Sequence, residues 1–188
     1  MKIVGVNGSP RKGGNTEILL AQLLQEAQGC NAETCYIGVE QLDFGGCKGC
    51  LWCQQKGTGR CIQNDDMTPI YDIIAEADAV IFASPIYFST MTGQMKIFMD
   101  RLYPFYGRGG VPSRLPKKTK AILIFTQGQP DTELYFKSIE IAASAFRLIG
   151  FDVLETFVAP DIPNKGDILK SLTALEQAKA LGKKLCTG

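Results

Sequence analysis

A segment near the amino terminus combines residue types that bind anions. It has the sequence GSPRKGGNT over residues 8–16 and continues into a stretch with helical periodicity. Glycines let the backbone come close to a ligand, and the first amides of a helix carry partial positive charge. The segment therefore predicts a phosphate site, with candidate contacts from Ser9, Arg11, Gly14, Asn15 and Thr16. The alternative is that Asn15 merely caps a helix after a flexible turn.

Two common nucleotide-binding motifs do not match this segment. A Walker A loop requires a Lys where this chain has Gly14, and that Lys reaches the terminal phosphates. A dinucleotide fingerprint requires a Gly two places after Gly5, where this chain has Asn7. A monophosphate therefore fits the segment better.

The segment resembles the first loop of the NADPH-dependent FMN reductase family of flavodoxin-like proteins, which has the form G-S-x-R-x-x-S/G-N-T and binds the FMN phosphate. The resemblance extends over nearly the whole chain, because later motifs agree in order and spacing. It implies FMN as the cofactor, NAD(P)H as an electron donor, and a homodimer or homotetramer. The implied phosphate contacts are Ser9, Arg11, Asn15 and Thr16.

Two later loops carry further candidate flavin contacts. The sequence SPIYFS over residues 84–89 resembles a turn of this family, which precedes a helix ending in K-x-x-x-D-R. Asp100 and Arg101 of that helix are expected to be structural or part of a subunit contact.

The loop with the sequence TQGQP follows the fourth apolar run, and its Gly permits close backbone approach. From the residues alone, Tyr87 and Phe88 could equally be local core and TQGQP a plain turn. The implied flavin contacts are Pro85, Ile86, Tyr87, Phe88, Thr126, Gln127 and Gly128.

Four of the seven cysteines form the pattern C-x2-C-x2-C-x7-C at Cys47, Cys50, Cys53 and Cys61. Three thiolates at this spacing can surround a 4Fe-4S cluster, with the fourth arriving from the returning chain. The arrangement resembles the iron-sulfur flavoproteins, which have a D-D-M sequence after the cysteines, as at residues 65–67. Zinc, a metal-free redox dithiol and an unoccupied thiol cluster are the alternatives.

These loops need a scaffold of alternating strands and helices. Short Ile- and Val-rich runs predict strands at Lys2–Asn7, Ala32–Ile37, Ala79–Ala83, Lys120–Thr126 and Asp152–Val158. Helical periodicity predicts helices at Asn15–Gln28, Met67–Ala75, Met91–Leu102, Glu133–Ile149 and Ile168–Leu185. We expect an α/β, flavodoxin-like, doubly wound five-stranded parallel sheet of order 2-1-3-4-5, with helices on both faces and the ligand at the carboxyl ends of strands one and three. Residues 1–188 should form one domain with a Cys-rich insertion at about 38–66.

Composition narrows the possible chemistry. The chain of 188 residues contains no His, which rules out Ser-His and Cys-His catalytic pairs. Its formal charge of +1 and the lack of a dense Lys/Arg block give no sign of nucleic acid or membrane as a partner. The first residues predict a strand rather than a signal peptide, so we expect a cytoplasmic protein.

Three functions remain in competition. The first is an oxidoreductase that takes hydride from NAD(P)H onto FMN and reduces flavin, quinone or similar acceptors, with no catalytic side chain because the flavin does the chemistry. The second is an iron-sulfur flavoprotein that carries electrons between FMN, a 4Fe-4S cluster and protein partners such as ferredoxin. The third is a binding or regulatory protein, for which no basic DNA-binding helix pair is evident.

Overall fold

Five parallel strands form the central sheet of the computed structural model, which describes residues 1–187. Their order is β2-β1-β3-β5-β6, and β4 pairs antiparallel with the end of β3. The parallel strands reproduce the predicted 2-1-3-4-5 order; the difference is the two-residue strand β4, which was not predicted. The strands are β1 (Lys2–Asn7), β2 (Glu33–Gly38), β3 (Ala79–Tyr87), β4 (Thr90–Met91), β5 (Lys120–Thr126) and β6 (Asp152–Ala159).

Helices cover both faces of the sheet. The predicted helices are found, together with an unpredicted short helix, α2, inside the cysteine segment. Three helix starts differ from the prediction: the helix expected from Met91 begins at Gly93 because Met91 belongs to β4, the helix expected from Glu133 begins at Phe136, and the helix expected from Ile168 begins at Leu172. Thr92 caps α4 by accepting a hydrogen bond from the Met95 amide at 3.1 Å. None of the helices in residues 1–187 is long and apolar enough to cross a membrane. The helices are α1 (Asn15–Gly29), α2 (Trp52–Lys56), α3 (Met67–Glu76), α4 (Gly93–Arg101), α5 (Phe136–Ile149) and α6 (Leu172–Thr187).

The strands are hydrophobic on both faces because each face has its own core. Alternating strand residues such as Val4 and Phe82 pack with α3, α4 and α5. Their neighbours, including Ile3 and Ile81, pack with α1 and α6 on the opposite face. Two covered faces explain why the strand sequences show little polar alternation.

A buried ion pair attaches the cysteine-containing segment to the end of α4. The side chain of Arg101 has no exposed surface, and its two terminal nitrogens lie 2.7 and 3.0 Å from the carboxylate of Asp65. The same guanidinium donates to the Gly45 carbonyl at 2.7 Å and lies 6.0 Å from the ring centre of Phe44. Arg101 is therefore structural, as predicted, and organises both ends of the segment.

We predict that this ion pair makes stability depend on pH. Burial alone would raise the pKa of Asp65, but hydrogen bonds from Arg101 and from the Met67 amide lower it below its ordinary value. The resulting stabilisation is complete above the unfolded-state pKa of about 4 and is lost as the pH falls through the lower folded-state pKa. Asp65→Asn should lower the free energy of unfolding by about 3 kcal/mol at pH 7, and this deficit should shrink below about pH 4.

Urea unfolding of parent and variant between pH 7 and pH 2 measures this difference. Asp72→Asn is the matched control, because Asp72 pairs with Arg60 where both side chains are about half exposed. This control should change stability by less than about 1 kcal/mol. A deficit of Asp65→Asn that stays constant down to pH 2 would contradict the assignment.

Candidate functional site

A cavity of about 260 Å³ lies where the loops after β1, β3, β5 and β6 meet. Ten of the twelve residues proposed from the sequence as cofactor contacts line it, and Gly14 and Phe88 do not. Ile162 and Pro163, which follow β6, complete its wall and were missed. We call it the cradle cavity; its lining residues are Ser9, Arg11, Asn15, Thr16, Pro85, Ile86, Tyr87, Thr126, Gln127, Gly128, Ile162 and Pro163.

The loop after β1 presents backbone amides at the start of α1. Gly14 precedes the helix in an extended conformation, and a β carbon there would lie 2.8 Å from the Arg11 carbonyl oxygen. The absence of a side chain at Gly14 thus lets the backbone of the loop pack closely against Arg11. Gly14 itself does not line the cavity. The Ser9 hydroxyl accepts from the Arg11 amide at 3.2 Å and keeps its own proton free to donate. Because the first amides of a helix have no intrahelical acceptor, this end of the cavity suits an anion.

Asn15, which lines the cavity, uses its side chain to hold a distant loop. Its Nδ2 donates to the carbonyls of Ile162 and Asn164 at 2.9 and 2.8 Å. Its Oδ1 accepts from the amides of Gly166 and Ile168 at 2.8 and 3.3 Å. The side chain makes no capping bond to α1, so the capping interpretation is wrong. Its polar atoms instead attach the loop after β6 to the start of α1.

Two hydroxyls join the first and third loops. The Oγ1 atoms of Thr16 and Thr126 are 2.7 Å apart and buried. One hydroxyl donates in this contact, and the other keeps a proton that can be donated elsewhere. Thr16, in the first turn of α1, is therefore held against the end of β5.

Gln127, which lines the cavity, contains a buried acceptor without a partner among the described residues. Its Nε2 donates to the carbonyls of Gln129 and Asp131 at 3.0 and 2.7 Å. Its Oε1 is buried and has no hydrogen-bond partner among the described residues. A buried acceptor without a donor is costly, so this oxygen suits a ligand N–H or O–H group. FMN offers such groups, and the anion-binding end of the same cavity suits its phosphate; the residues present fit this cofactor.

The loop after β3 forms a hairpin beside the cavity. Ile86 pairs with Met91 and Tyr87 with Thr90, which makes the tip Phe88 and Ser89. Both tip residues have positive φ, +44° and +68°, and Phe88 is fully exposed. Tyr87 is 37% exposed, so neither aromatic belongs to a local core and that interpretation is wrong. The strained tip points to a functional constraint on this turn.

The four clustered cysteines line one small cavity of about 20 Å³, room for about one water molecule. Cys47 and Cys50 are exposed, Cys61 is half-buried and Cys53 is buried. Burial raises the pKa of the Cys53 thiol, and the other three thiols add to the rise. Within residues 1–187, no three or more His, Cys, Asp or Glu side chains are arranged to hold a metal ion. Four thiols suit an iron-sulfur cluster by donor type, but the segment would have to open to admit one.

Comparison with known proteins identifies one family model and several individual relatives. The family model described as NADPH-dependent FMN reductase matches residues 1–129. An iron-sulfur flavoprotein of Archaeoglobus fulgidus is 35% identical over 156 residues, which cover 81% of this chain and 68% of that protein. An iron-sulfur flavoprotein of Clostridioides difficile is 40% identical over 106 residues, which cover 55% of this chain and 46% of that protein. The chain thus spans about half the length of some relatives.

A solved structure supports the fold. The NAD(P)H:quinone oxidoreductase from Methanothermobacter marburgensis aligns with a TM-score of 0.79 at 15% identity, over 98% of this chain and 96% of that one. At this identity the likeness concerns the fold alone, which is flavodoxin-like.

We predict that Asn15→Ala loosens the loop after β6. The variant leaves the amides of Gly166 and Ile168 without their acceptor, so their hydrogen exchange should accelerate by at least tenfold, the equivalent of about 1.4 kcal/mol. Exchange measured by NMR tests this. Gln25→Ala, an exposed change on the same helix, is the matched control and should leave both amides unchanged. Equal exchange rates in Asn15→Ala and the parent would show that the four bonds do not hold the loop.

Proposed function

This chain belongs to the NADPH-dependent FMN reductase family, and we propose that it binds FMN in the cradle cavity. We propose further that it takes hydride from NAD(P)H and passes electrons to flavin, quinone or a similar small acceptor. The observation that carries this proposal is the single cavity shared by an anion-binding helix start and a hairpin of apolar and aromatic residues. Such a cavity suits a ligand with a phosphate at one end and a flat ring at the other.

Different residues of the cavity would bind different parts of FMN. Arg11 and the first amides of α1 would hold the phosphate, and the Ser9 hydroxyl would donate to it. The spare proton of the Thr16–Thr126 pair and the Oε1 of Gln127 would meet polar groups further along the ligand. Pro85, Ile86 and Tyr87 would pack along the ring and exclude water from one side.

Bound FMN would supply the hydride and electron chemistry itself. The chain contains no His and needs none for that purpose. We therefore assign no side chain as a catalytic acid or base, and the protein's contribution is positioning and electrostatics.

Arg11→Ala tests the phosphate assignment. Loss of a charge-assisted contact should weaken FMN binding by about 1.5–3 kcal/mol, which is roughly 10- to 150-fold in Kd. Quenching of flavin fluorescence measures the Kd. Arg108→Ala is the matched control because Arg108 is exposed and does not line the cavity. If Arg11→Ala bound FMN as tightly as the parent, the assignment would be wrong.

Anaerobic purification followed by absorbance spectroscopy tests the proposed activity. Bands near about 370 and 450 nm identify an oxidised flavin, and their bleaching by NADH or NADPH, with reoxidation by a quinone, supports the reductase. A flavin that neither nucleotide bleaches would rule out the reductase activity.

The cysteine cavity favours a second candidate, an iron-sulfur electron carrier. Cys47, Cys50, Cys53 and Cys61 line that one cavity, and the relatives described above are named iron-sulfur flavoproteins. A 4Fe-4S cluster held there would let the protein exchange electrons between FMN and a partner such as ferredoxin. Since thiolate ligands must stay reduced, this candidate places the protein in the cytoplasm.

Cys50→Ser distinguishes the two candidates. If the protein is an iron-sulfur electron carrier, the parent should contain about four iron and four sulfide per chain. The variant should then lose both while keeping its flavin. Cys186→Ser lies outside the cavity and should keep both. A parent protein without iron would exclude the electron carrier, and so would a faster reaction with NAD(P)H than with reduced ferredoxin. Only the reductase candidate would then remain.

We propose that the chain acts as a single domain and as a homodimer or homotetramer. The support is a set of apolar side chains exposed on neighbouring helices, which a second copy would cover. Ile141 and Leu148 of α5 are 71% and 66% exposed, and Ile97 of α4 is 41% exposed. Light scattering on the purified protein measures the number of copies.

A further inference from the structure

A lysine from the last loop lies against the loop that precedes α1, beside the cradle cavity and outside its lining. Lys165 belongs to the loop between β6 and α6, about 150 residues from Gly13 along the chain. Gly13 has a φ of +64°, and a β carbon placed on it would lie 3.5 Å from both Cε and Nζ of Lys165. The ammonium group therefore lies over the loop that precedes α1.

The loop that carries Lys165 is held in place from several directions. The four hydrogen bonds of Asn15 attach both of its halves to the start of α1. The Ile162 amide donates to the Gln127 carbonyl at 3.1 Å, and a β carbon on Gly128 would lie 3.3 Å from Pro163. The backbone around Lys165 is thus fixed relative to the cavity, although its side chain is exposed.

Charge at this end of the cavity calls for a second cation. A phosphate monoester carries about −1.5 to −2 charges at pH 7. Of the two cations in the loop after β1, Arg11 lines the cavity and supplies one positive charge, whereas Lys12 does not line it. Glu17 adds a negative charge, because its Oε2 accepts from the Gly13 amide at 2.8 Å. No ion-pair partner of Lys165 is found among residues 1–187, whereas Lys170 of the same loop pairs with Asp167 at 2.9 Å. Lys165 is therefore available to a phosphate bound beside Gly13.

We propose that Lys165 is a specificity-determining residue that binds the phosphate of FMN opposite Arg11, and that Asn15 is the positioning residue that holds Lys165 there. The inference rests on the proposed function, since it assumes that FMN occupies the cradle cavity. Arg11 and Lys165, which come from opposite ends of the sequence, would together let the chain discriminate FMN from riboflavin, which lacks the phosphate.

Binding of the two flavins tests the proposal. Kd values for FMN and riboflavin are measured by fluorescence quenching for the parent, Lys165→Gln, Lys165→Arg and Lys179→Gln. Lys165→Gln should weaken FMN binding by about tenfold and leave riboflavin binding unchanged. Lys165→Arg should restore FMN binding. Lys179→Gln removes the same charge from an exposed position on α6 and should change neither Kd.

The variant Asn15→Ala tests whether Asn15 positions Lys165. It should reduce the preference for FMN as Lys165→Gln does, and the two changes combined should cost no more than the larger of them, because they act through one contact. Raising the salt concentration should shrink the difference between parent and Lys165→Gln. Purely structural damage would instead weaken both flavins together.

The outcomes separate this inference from the proposed function. A parent protein that binds no FMN overturns both. A parent that prefers FMN, with the same preference in Lys165→Gln, overturns the role of Lys165 and leaves the cradle cavity as the FMN site. Equal loss of FMN and riboflavin affinity in Lys165→Gln also overturns it, since the lysine would then act on the fold.

Discussion

The site depends on the parallel pairing of β1, β3 and β5 side by side. In register, Asn7 lies opposite Ala83, and Pro85 opposite Thr126, so the three strands end at the same edge of the sheet. Hydrogen bonds then connect the loops to one another: the Gly8 amide donates to the Ala83 carbonyl at 2.8 Å, and the Thr92 hydroxyl donates to the Gly8 carbonyl at 2.6 Å. A ligand in the cradle cavity would meet a surface already assembled by the sheet.

Helix α4 relates the two candidate cofactor sites to each other. Thr92, which caps the start of α4, bonds to the loop after β1. Arg101, its last residue, lines the cysteine cavity and holds Asp65. A helix of nine residues rises about 13 Å, so the loops of both sites are attached to opposite ends of one short rigid element. This arrangement suits a protein in which two centres exchange electrons, and it equally serves a reductase whose cysteine segment is structural.

The sequence was sufficient for the scaffold and for most of the cavity. Ile- and Val-rich runs identified the five parallel strands because both faces of the sheet are covered, and ten cavity residues followed from loops at strand ends. It was insufficient for contacts that depend on distant parts of the chain. The hydrogen bonds of the Asn15 side chain could not be predicted because its partners, residues 162–168, are about 150 positions away. Ile162 and Pro163 follow a strand in a Pro- and Gly-containing turn, and that signal could have identified them. The exposed position of Phe88, outside the cavity lining, also depends on the hairpin tip with positive φ, which the sequence did not predict.

A crystal structure of the protein grown with FMN tests the central claim most directly. We expect the phosphate at the start of α1, within hydrogen-bond distance of Arg11, and the ring along Pro85–Tyr87. We also expect a ligand donor at the Oε1 of Gln127, which has no partner among the described residues. A phosphate bound elsewhere, or a flavin ring in the 520 Å³ apolar cavity beside Cys47 and Leu148, would contradict it.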